Sequence, residues 1–228
     1  KQLESYQIEV IPNWYENMTM YNVEESYENG VFACVKAKDK IVVSYFGNMG
    51  TAQHLDTIIE AIKSLRNDTQ IAFVFAGHGN KLPYLKKVIQ DEELNNVYIY
   101  EFLKGKDFQD ALNISDIFIV SLEDNLTGLA VPSKTYSYLM AGKPVLSIMS
   151  RDSDISKDIA NFGAGLCIDV GDVSGLLSAI STLKNDENLR MQMGNHAREL
   201  FKEKYTTEKN TLKYVNMIKE ILEEQEYV

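Results

Sequence analysis

Pro132, Ser133 and Lys134 stand together at the head of a helical run, and the trio suits the binding of a phosphate-type anion. Proline has no N–H to lose in the first turn of a helix. The serine hydroxyl adds a donor, and the lysine ammonium adds a mobile positive charge. A helix that starts just beyond a strand end also aims unpaired backbone N–H groups into a crevice, where an anion can sit. The trio lies in the segment GLAVPSKTYSYLMAGKPVLS, from Gly128 to Ser147, which closes at Ala141-Gly142-Lys143 before an apolar run. The same residues also suit an ordinary capped helix joining two buried strands.

Other loops carry related signals. Gly47-Asn48-Met49-Gly50-Thr51-Ala52-Gln53 follows an apolar run and opens a helix, the position at which α/β folds cradle phosphates. It is neither a Walker loop nor the dinucleotide fingerprint. Gly77-His78-Gly79-Asn80 repeats the arrangement; turn glycines serve sterics as readily as ligands, and His78 reads as a turn residue rather than a base. The polar loop Ser121 to Gly128, SLEDNLTG, is too long for a tight connection and leads straight into Pro132. Its acids, Glu123 and Asp124, suit hydrogen bonds to sugar hydroxyls, or simply form a solvated face.

Loops of this kind need a sheet to hold them. Ile41 to Phe46, Ile71 to Ala76, Val97 to Tyr100, Ile117 to Val120, Val145 to Ile148 and Gly165 to Ile168 are short apolar runs of the sort that form buried parallel strands. Between them Leu55, Ile58, Ile59, Ile62 and Leu65 make one helical face, and Leu82, Leu85, Val88 and Ile89 another. Further helices are predicted from about Lys106 to Asn113, Lys134 to Met140 and Ile155 to Asn161, then along Leu176, Leu177, Ile180 and Leu183. The tail is helical, with stripes at Leu189, Met193, Ala197 and Leu200, and at Leu212, Val215, Ile218 and Leu222 after a break at Tyr205-Thr206-Thr207. Ile8 to Trp14 reads as one more strand. Strand and helix in alternation predict an α/β fold, a doubly wound parallel sheet of about six strands with helices on both faces.

Composition closes several possibilities. With 228 residues, 45% of them hydrophobic, the chain can bury a full core. A net charge of -10 and the lack of a basic, aromatic-studded stripe argue against a nucleic-acid partner. Cys34 and Cys167 lack metal-ligand spacing and read as small buried hydrophobes, while His54, His78 and His196 are scattered, so no metal site is expected. No apolar run reaches the length of a membrane span, and the opening KQLESYQIEV lacks signal-peptide order, which predicts a cytoplasmic chain. The chain also opens without Met, as a fragment of something longer would.

The GNMG turn with Gln53 and Leu55, the FAGHGN turn and the stretch VPSKTYSYLMAGKPV together resemble the C-terminal, donor-binding domain of the GT-B glycosyltransferases of family 4, also called group 1. Within that family the chain is similar to the bacterial branch that builds surface polysaccharides such as capsule. The resemblance runs from roughly Val10 to Tyr205, nearly the whole chain. It implies a Rossmann-like half of a GT-B enzyme. Residues 1–38 would be an interdomain linker with a remnant of the N-terminal domain, 39–204 the donor-binding domain and 205–228 the crossover helix.

The resemblance also implies a nucleotide-diphosphate sugar as donor, a UDP-sugar by preference, with no further cofactor and no metal. Gly47, Asn48, Gly50, Gln53, Ser133 and Lys134 would hold the diphosphate. Glu123, Thr127, Gly128 and Leu129 would lie along the sugar, and Gly77, Glu101, Phe102, Leu103 and Ser137 near the nucleoside. Transfer would retain the anomeric configuration and reach a saccharide or lipid-linked acceptor, with the catalytic residues mainly in the protein's own N-terminal acceptor domain. Membrane contact would be peripheral and come through the full-length protein. Asn48 and Gln53 stand where many members carry Arg and Lys, and Ser137 stands where many carry the ribose-binding Glu. Those departures keep open a non-catalytic binding module of the same fold; a sugar-nucleotide epimerase is the third reading.

Overall fold

Strands that read as unbroken apolar runs have no polar face, so they need cover on both sides. The computed structural model of the chain, which describes residues 8–21, 23–28, 30–35 and 40–226, provides it. β1 (Ile41–Asn48), β2 (Ile71–His78), β3 (Val97–Tyr100), β4 (Ile117–Ser121), β5 (Val145–Ile148) and β6 (Gly165–Ile168) form one sheet in the order β3-β2-β1-β4-β5-β6. Every pairing in it is parallel.

The helices are α1 (Val23–Glu28), α2 (Asp56–Ser64), α3 (Leu82–Asp91), α4 (Gly105–Ile114), α5 (Lys134–Ala141), α6 (Asp154–Phe162), α7 (Val173–Asn185), α8 (Glu187–Lys204) and α9 (Thr207–Glu226). Apolar residues of α2, α3 and α7, such as Ile58, Leu85 and Ile180, pack on one face of the sheet. Those of α4, α5, α6 and α8, such as Leu112, Leu139, Ile159 and Leu200, pack on the other. The expected fold class is therefore present.

The strand order changes direction between β1 and β4, and there the two strands part. Their ladder holds only Val43 with Ile117 and Ser44 with Phe118, although β1 continues to Asn48. A buried strand leaving its neighbour exposes backbone groups that must find other partners. Tyr138 of α5 supplies them: its hydroxyl donates to the Phe46 carbonyl at 2.7 Å and accepts from the Phe46 N–H at 2.8 Å. The ring is fixed by stacking on Phe118, with centroids 4.2 Å apart and planes 3° from parallel.

β1 and β2 run on through the glycine turns, so that Gly47 lies opposite Gly77 and Asn48 opposite His78 in the ladder. The turns are thus strand ends set side by side at one edge of the sheet.

Three expectations change. Ile8 to Trp14 forms no strand; the only pairing nearby among the described residues is an isolated bridge from Tyr15 to Thr206. The sheet's own edges are β3 and β6, and this segment reaches neither, so it has no ladder to join. Cys34 is exposed and Cys167 half-buried, rather than both being core residues. Helix α1 was not legible in the Tyr-rich, acidic stretch around it. Phe32 and Val35 beyond it are wholly buried, and Asn113 holds the segment by donating to the Tyr21 carbonyl at 2.8 Å.

Helix α9 turns away from α8 at Tyr205 and Thr206, where Tyr205 donates to Asp158 and the Asn210 amide donates to the Lys204 carbonyl at 2.7 Å. Beyond Asn210 the helix is exposed nearly all round, with Leu212, Val215, Ile218 and Leu222 uncovered among the described residues.

Candidate functional site

Parting of β1 from β4 opens a cleft at their C-terminal ends, the place where open α/β sheets bind ligands. Gly47, Asn48 and Gln53 line it from the first loop, Ser121 from β4, and Ser133 and Lys134 from the start of α5. Ser133 is the residue preceding the helix, yet its hydroxyl makes no capping bond and is exposed. Donors at this helix end are therefore turned outward rather than spent on the helix itself.

Lys134 is half-buried and has no carboxylate partner among the described residues. Burial pushes its ammonium below the usual lysine range. The ammonium stands over the Phe108 ring, 4.7 Å from its centre. Gly47 allows the stem to pass: a Cβ there would come within 3.4 Å of Lys134 Cγ. Ser121 Oγ, wholly buried at the end of β4, has no hydrogen-bond partner of good geometry.

The first glycine turn is less open. Gln53 Oε1 accepts from the Gly50 N–H at 3.2 Å, so these two expected phosphate contacts bind each other. The Asn48 side chain folds against Gly50, within 2.9 Å of where a Cβ would stand. In the second turn a Cβ on Gly77 would meet the Gly47 carbonyl oxygen at 1.9 Å, and one on Gly79 the Met49 backbone at 2.4 Å. Both glycines have a steric task.

Glu123 turns inward from the β4 loop. Its carboxylate lies 3.2 Å from His54 Nδ1 and 3.8 Å from Lys81 Nζ, which itself lies 3.6 Å from Asp56. The Glu123 N–H donates to the Ala52 carbonyl at 3.0 Å, so the residue ties the loop after β4 to the loop after β1. Thr127 donates to the Asp124 carbonyl at 2.8 Å. Gly128 has φ +77 with open space around it, and Leu129 is 80% exposed. Ser137 is wholly buried and donates to the Lys134 carbonyl at 2.7 Å.

Beyond β3, Glu101 and Phe102 are exposed and Leu103 is half-buried. The Phe102 ring meets His78 edge-on at 5.9 Å, and Lys104 Nζ lies 5.5 Å from its centre. These residues share the sheet edge with the cleft without lining it.

The fold thus brings Gly47, Asn48, Gln53, Ser133 and Lys134 into one cleft, and leaves Gly50, Ser137 and Glu123 engaged within the protein. Sequence reasoning missed Tyr138, Ser121 and Phe108. Tyr138 lies one helical turn after Lys134 on the same face, a spacing that was visible. Nothing local marked the other two.

A family model described as glycosyl transferases group 1 matches residues 28–200. The chain belongs to this family. The resemblance drawn from its loops is borne out. Among curated relatives, WbjE of Pseudomonas aeruginosa, named a probable glycosyltransferase, is 33% identical over 128 residues, covering 56% of this chain and 32% of its own. A poly(ribitol-phosphate) alpha-N-acetylglucosaminyltransferase of Staphylococcus aureus is 26% identical over 180 residues, covering 77% and 35%. The chain spans about a third to a half of the length of the curated relatives it matches.

Solved structures agree on the fold. A glycosyltransferase from Rickettsia africae superposes with a TM-score of 0.77 at 18% identity, covering 96% of this chain and 59% of its own. Anabaena HepE in complex with UDP-glucose superposes at 0.77 with 14% identity, covering 93% and 57%.

Proposed function

We propose that this chain is the donor-binding half of a retaining glycosyltransferase that takes its sugar from a nucleoside-diphosphate sugar, a UDP-sugar by preference. The observation that carries the reading is the Lys134 ammonium, half-buried without a carboxylate partner, beside an uncapped helix start at the strand-order reversal. A diphosphate leaving group gathers negative charge as the glycosidic bond breaks, and fixed donors aimed at that charge lower the barrier. Lys134, Ser133 and the first-turn N–H groups of α5 are such donors, and Ser121 Oγ is a further one within the same cleft.

The nucleoside is assigned to the ends of β2 and β3. Two strand spacings separate β1 from β3, about 10 Å, which matches the reach from a diphosphate to its base. Phe102, exposed beside His78 and Lys104, offers a ring face there. HepE, whose fold this chain shares, is solved with UDP-glucose, and S. aureus TarM with UDP.

The share of the relatives' length that the chain spans, and the uncovered apolar stripe of α9, support an N-terminal acceptor domain that completes the enzyme. In that reading the catalytic residues and the saccharide or lipid-linked acceptor belong chiefly to the missing half. The enzyme works in the cytoplasm, touching the membrane only peripherally.

Titration of the chain with UDP, followed by calorimetry or NMR, tests the donor site: saturable binding is expected, and none at millimolar concentration overturns it. Lys134→Ala is expected to weaken UDP by about 10- to 100-fold, the loss of one charge-assisted contact.

One observation favours the binding-module alternative. Asn48 is neutral, Gln53 is tied to Gly50, and Lys134 is the single cation among the described residues lining the cleft. Sugar transfer from a UDP-sugar by the chain rejoined to an N-terminal domain excludes it. An epimerase needs acid and base groups facing the sugar; of the described cleft-lining residues only Lys134 and the phenols Tyr45 and Tyr138 titrate, and burial raises both phenols.

A further inference from the structure

A half-buried lysine without a counter-ion needs some other group to keep it charged and in place. The Lys134 ammonium finds a ring instead, 4.7 Å from the centre of Phe108 on α4. That ring is anchored: it packs edge-on against Phe46 at 6.0 Å, and the Phe46 backbone is pinned by the Tyr138 hydroxyl. The lysine stem runs beside Gly47, so both ends of the side chain are located.

We infer that Phe108 is the positioning residue for Lys134, holding the ammonium at the cleft wall from which it passes to an anionic ligand. The inference rests on reading the cleft as a diphosphate site. The face of an aromatic ring carries partial negative charge, so the cation gains there what it lost in hydration, yet the gain is small enough for a phosphate oxygen to outbid it. A carboxylate in the same place would neutralise Lys134 and repel the ligand. An aliphatic residue would leave the amine desolvated with no compensating partner, favouring its neutral form.

The other titratable groups around Lys134 are few. Tyr45 of β1 and Tyr138 of α5 are phenols that burial keeps neutral. On α4, Lys106 and Asp107 flank Phe108, with Lys106 paired to Asp110 at 2.8 Å. In the loop before α5, Glu123 is held by His54 and Lys81, and Asp124 is exposed.

The test is an NMR titration of the Lys134 side chain in the intact chain, assigned by comparison with Lys134→Gln. Phe108→Leu removes the ring face while keeping an apolar side chain, and is expected to move the Lys134 midpoint down by about 0.4 to 1.5 pH units. Phe108→Tyr keeps a ring face and is expected to restore it. UDP affinity of Phe108→Leu should then fall at lower pH than that of the unmodified chain, by up to about 30-fold between the two midpoints. An unchanged midpoint in Phe108→Leu, or a Phe108→Tyr midpoint matching that of Phe108→Leu, overturns the inference. A midpoint that moves as stated in a chain that binds no UDP upholds the positioning of Lys134 and overturns the donor reading.

Discussion

Gly77→Ala is expected to lower stability by about 4 kcal/mol or more, enough to abolish folding if the chain is of ordinary stability. Two effects combine. The backbone at Gly77 has φ +143, a conformation that side chains rarely adopt, and a Cβ would fall 1.9 Å from the Gly47 carbonyl oxygen. That oxygen belongs to the neighbouring strand, opposite Gly77 in the central ladder, so no side chain can swing aside to make room. Gly128→Ala provides the internal comparison, because Gly128 has φ +77 but open space around it. It should cost only the conformational term, about 1–2 kcal/mol. Urea unfolding followed by circular dichroism measures both; equal costs for the two changes would show that the contact between the turns is not tight. The same contact sets the two loops in register, so partial folding of Gly77→Ala should also weaken UDP.

Tyr138→Phe is expected to cost about 2–4 kcal/mol, far more than the loss of one hydroxyl at a surface, because the Phe46 N–H and carbonyl both lose a partner. Phe46 is buried where β1 has already left β4, and water has no ready access to take over. For a chain of this size the fall in melting temperature is roughly 4–16 °C. Hydrogen exchange gives the sharper reading: the Phe46 amide should lose protection beyond the global loss, whereas the Val43 amide, which lies within the paired part of β1, should follow global stability. A cost below about 0.5 kcal/mol would mean that the strand end closes on itself without Tyr138. Burial pushes the phenol far above its usual range, so the two bonds persist across the pH range in which the protein is handled.

Both changes act on the point where the sheet reverses its strand order, and they bear on function for that reason. Open α/β sheets bind ligands where neighbouring strands send their connections to opposite faces. The anion donors of α5 reach that point only because Tyr138 holds the helix against the parted end of β1.

Much of this was legible in the sequence. Apolar runs ending in glycine, alternating with amphipathic helices, determine a parallel sheet covered on both faces, since neither pattern can bury its apolar surface alone. The glycine turns and Pro132-Ser133-Lys134 identify the family by their order and spacing along the chain, as the matching family model bears out. Which donors remain free is another matter. That Gln53 closes on Gly50 is a local contact three residues apart, but side-chain rotamers decide it, and composition is silent about them. That Ser137 faces the core, and that Glu123 meets His54 and Lys81, depend on how the loops after β1 and β4 and the start of α3 come together in space. Tyr138 and Phe46, 92 residues apart in sequence, form the joint that shapes the cleft. The sequence by itself thus determined the fold and the family, because hydrophobic periodicity and glycine spacing act locally. Only the tertiary structure decided which polar groups face a ligand, because hydrogen bonds are settled by distances between segments far apart in the chain.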